Sequence, residues 1–278
     1  MKRAITDQIT LHNGVTMPQH GFGVYKITDP NEMGTTIHKA LEVGYRSFDT
    51  AQMYENEAIL GEVLHNGPVP RRELFITTKI NNNNQGYDQS LFTFEESLAD
   101  LQLSYLDLLL VHWPSEKHFF ETWRAFERLY EEKMVQAIGV CNFQIHHLEK
   151  LKTKANVMPM VNQIEVHPYM TQAPLREYLQ EQNIAVEAWS PLARGKVFQE
   201  DALVELGQVY RKTPAQIILR WHLQHGAIFI PKSSTPTRIE ENADIYDFKL
   251  SVEDMAKIDS LNINHRTGPD PDKVYPAI

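Results

Sequence analysis

Cysteine is almost absent from this chain of 278 residues, which contains only Cys141. One cysteine cannot form a disulfide within the chain, so the composition favours a reducing compartment. The first ten residues, MKRAITDQIT, also lack the apolar stretch of a secretory signal peptide. We therefore expect a cytoplasmic protein.

Long apolar runs and an excess of positive charge are missing as well. The strongest apolar run, Leu106 to Trp113, is short and carries Asp107, whereas a membrane span needs about 18 apolar residues. Acidic residues outnumber basic ones by 36 to 27, and the net charge of -9 disfavours binding to nucleic-acid phosphates. We expect a small-molecule partner, with no membrane and no nucleic acid, and an anionic ligand needs a local basic pocket.

The chain does contain a regular alternation of strand-like and helix-like segments. Residues 8–17 alternate apolar and polar residues around Asn13-Gly14, which predicts a β-hairpin with a two-residue type I′ turn. Eight short runs rich in Val, Ile and Phe follow, separated by segments with helical periodicity. The runs are GFGVY (21–25), SFDTA (47–51), LFITTK (74–79), YLDLLLVHW (105–113), QAIGVCN (136–142), MVNQIE (160–165), IAVEAWS (184–190) and AIFIPK (227–232).

Apolar runs without strict polar alternation are typical of parallel strands that are buried on both faces and joined by helical crossovers. No linker or change of composition divides the chain. We therefore predict the α/β class and a single (β/α)8 TIM barrel domain over residues 1–278, with the N-terminal hairpin at 8–17 closing its bottom. Two stretches are predicted to be loops, Asn81 to Asn84 and the C-terminal tail 264–278.

Polar side chains stand where the predicted strands end, and this end of such barrels carries the active site. They are Asp49, Lys79, His112, Asn142, Gln163 and Ser190. Any one of them could be a hydrogen-bonded core residue, but six at one face are harder to explain in that way. Because a buried acid and a buried amine are costly unless they pair, we expect an ion pair between Asp49 and Lys79.

Tyr54 follows Asp49 by five residues, which is close enough for the loop to bring its hydroxyl over the barrel mouth. A phenol titrates at about 10, and it donates a proton readily near neutral pH only if a cation such as Lys79 stabilises the phenolate. His112 could hydrogen-bond a substrate oxygen beside the phenol. These residues predict a carbonyl-reduction site, although Tyr and Lys also pair for structural reasons.

The eighth predicted strand ends in Pro231-Lys232-Ser233-Ser234, and the helix predicted after it carries Arg238. Hydroxyls, two cations and a helix start are the components of an anion site, and barrels frequently bind phosphate after strands seven and eight. The alternative is a solvated helix cap. No GxGxxG motif is present, so dinucleotide binding in the Rossmann mode is not expected.

Six segments of the chain resemble the aldo-keto reductase superfamily from end to end. They are GYRSFDTAQMYENE (44–57), ITTK (76–79), LLLVHWP (108–114), GVCNF (139–143), NQIEVHPY (162–169) and IPKSSTPTRIEEN (230–242). The tail motif RTGPDPD (266–272) is similar to the bacterial branch that includes diketogluconate and methylglyoxal reductases. The resemblance implies NADPH-dependent reduction of aldehydes and ketones to alcohols, with small dicarbonyls, keto sugars and aromatic aldehydes as substrate classes. It places the family's catalytic tetrad on Asp49, Tyr54, Lys79 and His112, with Tyr54 as the proton donor.

The resemblance also implies which residues hold NADPH. Around the ribose phosphate and adenine they are Lys232, Ser233, Arg238, Glu241 and Asn242, and around the nicotinamide and pyrophosphate they are Asn142, Gln163, Trp189, Ser190 and Leu192. Cys141 stands where the family usually has Ser, and because a thiol is a weaker donor than a hydroxyl, we expect the carboxamide to be held less firmly. Tyr25, Trp113 and His112 are the substrate-pocket candidates, and no metal site is assigned.

Two other functions fit part of the sequence. Lys79 could form a Schiff base with a keto-sugar phosphate, as in a lyase, but such a lysine needs a lowered pKa and pairing with Asp49 opposes it. The chain could also be a non-catalytic NADPH-binding partner subunit, as the potassium-channel β subunits of this superfamily are. We predict a monomeric enzyme.

Overall fold

The computed structural model of the protein describes residues 4–115 and 117–274. Eight parallel strands form one sheet whose order follows the chain, and two antiparallel strands precede them. The antiparallel strands are β1 Gln8–Thr10 and β2 Thr16–Pro18. The parallel strands are β3 Phe22–Gly23, β4 Ser47–Asp49, β5 Phe75–Ile80, β6 Leu106–Val111, β7 Val135–Cys141, β8 Val161–Glu165, β9 Ala185–Trp189 and β10 Ile228–Phe229.

The first and last parallel strands meet and close the sheet into a barrel. Gly21 N donates to Phe229 O at 3.0 Å, and Phe229 N donates to Gln19 O at 3.1 Å. Gly21 is required at this close approach, since a Cβ there would lie 2.9 Å from Ile230 Cγ2. The predicted α/β barrel is therefore confirmed.

Helices cover the outside of the barrel and bury their apolar faces against the strands. Their bounds are α1 Pro30–Val43, α2 Glu57–His65, α3 Tyr87–Asp100, α4 Phe119–Glu131, α5 Ile145–Lys152, α6 Ala173–Glu181, α7 Asp201–Tyr210, α8 Pro214–Gln224, α9 Pro236–Ala243, α10 Val252–Asp259 and α11 Pro271–Val274. On α4, for example, Trp123 and Phe126 are buried on one face. None of the described helices is long and apolar enough to cross a membrane.

The hairpin of β1 and β2 lies at the bottom of the barrel, as predicted. Asn13 Nδ2 donates to Gln136 O at 3.0 Å, near the start of β7. The predicted type I′ turn is wrong, however. Leu11 N donates to Val15 O, so the loop has three residues, and of the Asn13-Gly14 pair only Gly14 has a positive φ, at 89°. A type I turn followed by a glycine bulge gives this geometry, whereas type I′ needs positive φ at both central residues.

Two predicted loops contain helical turns. Asn82–Asn84 form a 3₁₀ turn after β5, in which Asn84 N donates to Asn81 O at 2.9 Å. The tail contains α11, because Lys273 N and Val274 N both donate to Asp270 O. The remaining tail residues, 275–278, lie outside the described residues. Gln163 was also predicted to end its strand, but β8 continues for two residues beyond it to Glu165.

Candidate active site

Neighbouring strands bring Asp49 and Lys79 together inside the barrel. Asp49 is the last residue of β4, and Lys79 lies near the end of β5. Lys79 Nζ is fully buried and donates to Asp49 Oδ1 at 2.6 Å and to Thr50 O at 2.8 Å. Burial by itself lowers the pKa of Lys79, but the charge of Asp49 and the nearby Tyr54 outweigh burial and raise it. Lys79 is a buried cation and not a neutral nucleophile, which argues against the Schiff-base lyase.

Tyr54 ends the 3₁₀ turn Gln52–Tyr54 that follows β4, and this turn carries its hydroxyl back to the lysine. Its Oη lies 3.5 Å from Lys79 Nζ. Burial raises the pKa of Tyr54, and the charge of Lys79 lowers it to a smaller extent. The predicted stabilisation of the phenolate by Lys79 is present, but desolvation exceeds it. The hydroxyl therefore keeps its proton at neutral pH, as a proton donor must.

Asn56 fixes the turn that carries Tyr54, and the sequence pattern did not single it out. Its Oδ1 accepts from Thr50 Oγ1 at 2.7 Å, and its Nδ2 donates to Val24 O and Ile27 O at 3.0 and 2.9 Å. Asn56 is buried, so all of these bonds are protected from water. The available signal was a polar residue directly before α2, where an N-cap is expected.

His112 follows β6, and its imidazole lies edge-on to the Tyr54 phenol with 5.8 Å between ring centroids. Its Nδ1 is buried and has no hydrogen-bond partner among residues 4–115 and 117–274. Burial holds the pKa of His112 well below its usual value, and the charge of Lys79 acts in the same direction. The imidazole is neutral, so it carries one N–H with which it can donate to an oxygen placed near Tyr54.

Asn142, Gln163 and Trp189 lie beside this centre in one hydrogen-bonded cluster. Asn142 follows β7 with a φ of 65°, a left-handed conformation that Asn tolerates better than most residues. It donates to His112 O at 3.0 Å and accepts from Trp189 Nε1 at 2.8 Å. Gln163 Nε2 donates to Asp49 Oδ2 at 2.7 Å. Three of the predicted nicotinamide residues are thus tied to the predicted tetrad.

Cys141 is a buried thiol within the same cluster. Its Sγ lies 3.6 Å from Gln163 Oε1 and 3.1 Å from Asn142 Nδ2. Burial raises its pKa well above the usual value, and the opposing effect of Lys79 is smaller. The thiol is therefore not activated as a nucleophile.

Glu187 is a member of this cluster that the sequence analysis missed. It lies on β9, where it pairs in register with Gln163, and its Oε2 accepts from Gln163 Nε2 at 2.8 Å. Burial and the charge of Asp49 raise the pKa of Glu187 to about 8. The signal in the sequence was an acidic residue inside the apolar run IAVEAWS.

The predicted anion site lies after β10, where Lys232 and Arg238 are exposed. Neither side chain has an ion-pair partner in the described part of the chain. Arg238 belongs to the first turn of α9, which begins with Pro236, and Ser233 is buried with its Oγ accepting from Thr235 N at 3.1 Å. Free positive charge therefore lies beside a helix N-terminus, which is the arrangement that favours a phosphate.

The other predicted cofactor residues lie on α9 and in the turn after β9. Asn242 is buried on α9. Glu241 Oε1 accepts from Thr213 Oγ1 at 2.6 Å, so its carboxylate is bound to the N-cap of α8. Ser190 has a φ of 50°, and its carbonyl accepts from Ala193 N, so it begins the tight turn that contains Leu192.

Tyr25 and Trp113, the residues predicted to line the substrate pocket, flank the catalytic candidates. The Tyr25 ring lies 4.9 Å from the Tyr54 ring, and Trp113 stacks on His112 with 6.4 Å between centroids. Tyr25 is 48% exposed, so this side of the site is open to solvent. Gln85 Nε2 donates to Trp113 O at 2.7 Å and fixes the backbone at Trp113.

The C-terminal tail is held against Trp189 by a buried carboxylate. Glu165 Oε1 accepts from Thr267 N and Thr267 Oγ1, both at 2.6 Å, and from Gly268 N at 3.2 Å. Burial by itself raises the pKa of Glu165, but the hydrogen bonds from His167 and Thr267 outweigh burial and lower it. Gly268 packs so closely on the Trp189 ring that no side chain fits there.

The chain is similar to known proteins along nearly its whole length. The model of the aldo/keto reductase family matches residues 19–263. The chain is 50% identical to glyoxal reductase of Bacillus subtilis (strain 168) over 274 residues, which is 99% of each chain. It is 47% identical to methylglyoxal reductase DkgA of Escherichia coli O157:H7 over 269 residues, which cover 95% of this chain and 97% of the relative. A crystal structure of a Gox0644 mutant in complex with NADPH matches with a TM-score of 0.92 and 41% identity, covering 97% of this chain and 98% of that one.

The family model spans most of the chain, and the relatives match along nearly their whole length. The resemblance found in the sequence motifs is thereby confirmed. The chain belongs to the aldo/keto reductase family.

Proposed function

We propose that the protein reduces the carbonyl group of small aldehydes and ketones to an alcohol with NADPH, and that α-dicarbonyls such as glyoxal and methylglyoxal are its first substrate class. The arrangement of Lys79, Tyr54 and His112 carries the proposal. It places two neutral donors, one of them backed by a buried cation, at one point of the barrel mouth. The relatives named above support the choice of dicarbonyls.

Tyr54 is the proton donor in this proposal. Its hydroxyl is protonated at neutral pH, and Lys79 at 3.5 Å lowers the cost of the phenolate that remains after transfer. Asp49 keeps Lys79 charged and in position. The neutral His112 donates to the same carbonyl oxygen, so negative charge that develops there meets two donors.

The residues present fit NADPH. Lys232 and Arg238 offer unpaired positive charge beside the start of α9, which suits the phosphate on the ribose. At the other end, the buried amide of Gln163 lies within the cluster that contains the tetrad. When bound, NADPH supplies the hydride that none of these side chains can provide.

The direct test is NADPH oxidation with glyoxal and methylglyoxal, measured for the wild type, Tyr54→Phe and Tyr130→Phe. Loss of the proton donor is expected to lower kcat about 10²- to 10⁴-fold in Tyr54→Phe. Tyr130 bonds to Asn13 of the bottom hairpin at 3.4 Å, so its variant controls for loss of a phenol elsewhere and keeps full activity. Equal activity of Tyr54→Phe and the wild type would refute the role of Tyr54.

Borohydride treatment in the presence of a keto-sugar phosphate separates reduction from lyase chemistry. Because Lys79 is charged and paired, no covalent adduct on Lys79 is expected. A stable mass increase on Lys79 would overturn the proposal in favour of a Schiff-base enzyme.

A further inference from the structure

Two carboxyl groups flank the amide of Gln163 inside the barrel. Its Nε2 lies 2.7 Å from Asp49 Oδ2 and 2.8 Å from Glu187 Oε2. An amide nitrogen has two hydrogens, so these two bonds use its whole donor capacity. The orientation of the amide is therefore set by the two acids together, and its Oε1 is directed away from both of them, next to Cys141 Sγ.

Glu187 differs from Asp49 in lacking a cation of its own. It is fully buried, and its Oε1 has no hydrogen-bond partner among the described residues. On the next strand it pairs in register with Ile228, whose side chain offers no polar group. Lys79 is bonded to Asp49 and Thr50, so an ionised Glu187 would be a second buried negative charge for a single ammonium.

We propose that Glu187 is a positioning residue that holds Gln163 in the orientation needed for the nicotinamide carboxamide and, by remaining a neutral acid, favours the uncharged reduced nicotinamide over the cationic oxidised one. This inference rests on the proposed NADPH-dependent function. A neutral carboxyl accepts the Gln163 hydrogen bond through its carbonyl oxygen and adds no charge to the site. Ionisation adds a negative charge, which attracts the positively charged ring of NADP⁺ and leaves NADPH unaffected to first order.

Four other titratable groups of the site keep their charge between pH 7 and 9, namely Lys79, Tyr54, Cys141 and His112. The pKa of Glu187 itself is about 8, because burial and Asp49 raise it more than Gln163 and Lys79 lower it. The pKa values of Lys79, Tyr54 and Cys141 are all raised above their usual values, and that of His112 is held well below. Between about pH 7 and 9 only Glu187 among these groups is therefore expected to change charge. β10 contributes Ile228 and Phe229, which do not titrate.

The test is the ratio of the NADP⁺ and NADPH dissociation constants, measured by quenching of tryptophan fluorescence at pH 7 and pH 9. In the wild type, ionisation of Glu187 is expected to shift this ratio about three- to tenfold in favour of NADP⁺. In Glu187→Gln, which keeps the acceptor but cannot ionise, the ratio stays constant. The exposed Glu253 provides the matched control, so Glu253→Gln retains the wild-type shift. The phosphates of the cofactor titrate equally in NADP⁺ and NADPH, so their effect on the two dissociation constants cancels in the ratio.

A second variant and a second measurement complete the design. Glu187→Leu removes the acceptor, so both cofactor forms bind more weakly at every pH, whereas Glu187→Gln binds NADPH as the wild type does at pH 7. Infrared difference spectra of the cofactor-free protein between pH 7 and 9 should show loss of one protonated carboxyl band that Glu187→Gln lacks. A ratio that does not change with pH, or that changes equally in Glu187→Gln, would overturn the inference. If neither cofactor form binds at any pH, the proposed function fails instead, and the infrared titration still decides the protonation of Glu187.

Discussion

The buried pair of Asp49 and Lys79 makes a quantitative prediction about stability. Their 2.6 Å separation corresponds to about 6 kcal/mol of attraction at an effective dielectric constant of about 20. Removing one partner leaves the other buried and unpaired, which typically costs about 3–5 kcal/mol. We expect Asp49→Asn to lower the free energy of unfolding by about 3 kcal/mol, the lower end of this range. The reason is that Lys79 keeps its bond to Thr50 O and gains Glu187 as a counter-ion. In Asp49→Asn, Glu187 no longer lies near a like charge, so its pKa falls and its ionisation becomes easier.

The assay is a double-mutant cycle with Asp49→Asn, Lys79→Met and the double variant, using urea unfolding followed by circular dichroism. The double variant should be about as stable as Lys79→Met alone, so its loss should be about 3 kcal/mol smaller than the sum of the two single losses, and this difference is the coupling energy. Unchanged m-values are needed for these comparisons to hold. Adding Glu187→Gln to Asp49→Asn removes the carboxylate that would replace Asp49 as the counter-ion of Lys79. The free energy of unfolding should therefore fall further.

The control cycle uses Arg128 and Glu132 on α4, whose Nε and Oε1 lie 2.8 Å apart at the surface. Solvent screens this pair, so its coupling should be far weaker despite a similar distance. Additive losses at Asp49 and Lys79, or a coupling no larger than that of the surface pair, would refute the argument from burial.

Three further changes have definite expected outcomes. Cys141→Ser replaces a weak donor by a strong one and should tighten NADPH about two- to fivefold in fluorescence titration, whereas weaker binding would contradict the reasoning. Arg238→Ala should weaken NADPH about tenfold and leave NADH unchanged, because NADH lacks the phosphate on the ribose; equal losses would contradict this role. Glu165→Gln loosens the bonds to Thr267 and Gly268, so amide exchange at these residues should become about tenfold faster, while unchanged exchange would show that packing alone holds the tail.

The barrel could be predicted from the sequence because its strands are local patterns with strong signals. LDLLLV at 106–111 is buried at every position, as its apolar run indicated. The tetrad candidates could also be predicted from the sequence, because the C-terminal ends of the strands meet at one face of the barrel. This holds for any length of the connecting loops. Tyr54 could be added because only a short turn separates it from Asp49.

The features that the sequence did not reveal depend on contacts between distant segments. The role that we assign to Glu187 depends on its contact with Gln163, its register partner on the neighbouring strand. The spacing of the two residues in the sequence does not indicate that pairing. Glu165 binds Thr267 across 102 residues. The prediction of the hairpin turn type was wrong for a local reason. Asn-Gly favours a type I′ turn but also allows a three-residue loop with Gly14 at the bulge.

The closure of the barrel between β10 and β3 has a consequence for folding. Gln19 Nε2 donates to Ala227 O across 208 residues, and both strands at this junction have only two residues. Contacts between such distant residues carry a large loop-closure entropy and tend to form late. Lys232 and Ser233 lie three and four residues beyond the end of β10, so the segment that we propose for the phosphate depends on the last part of the barrel to close. Competence to bind the cofactor should therefore be acquired at the end of folding, and a nascent chain becomes able to bind it only after its final strand has been synthesised.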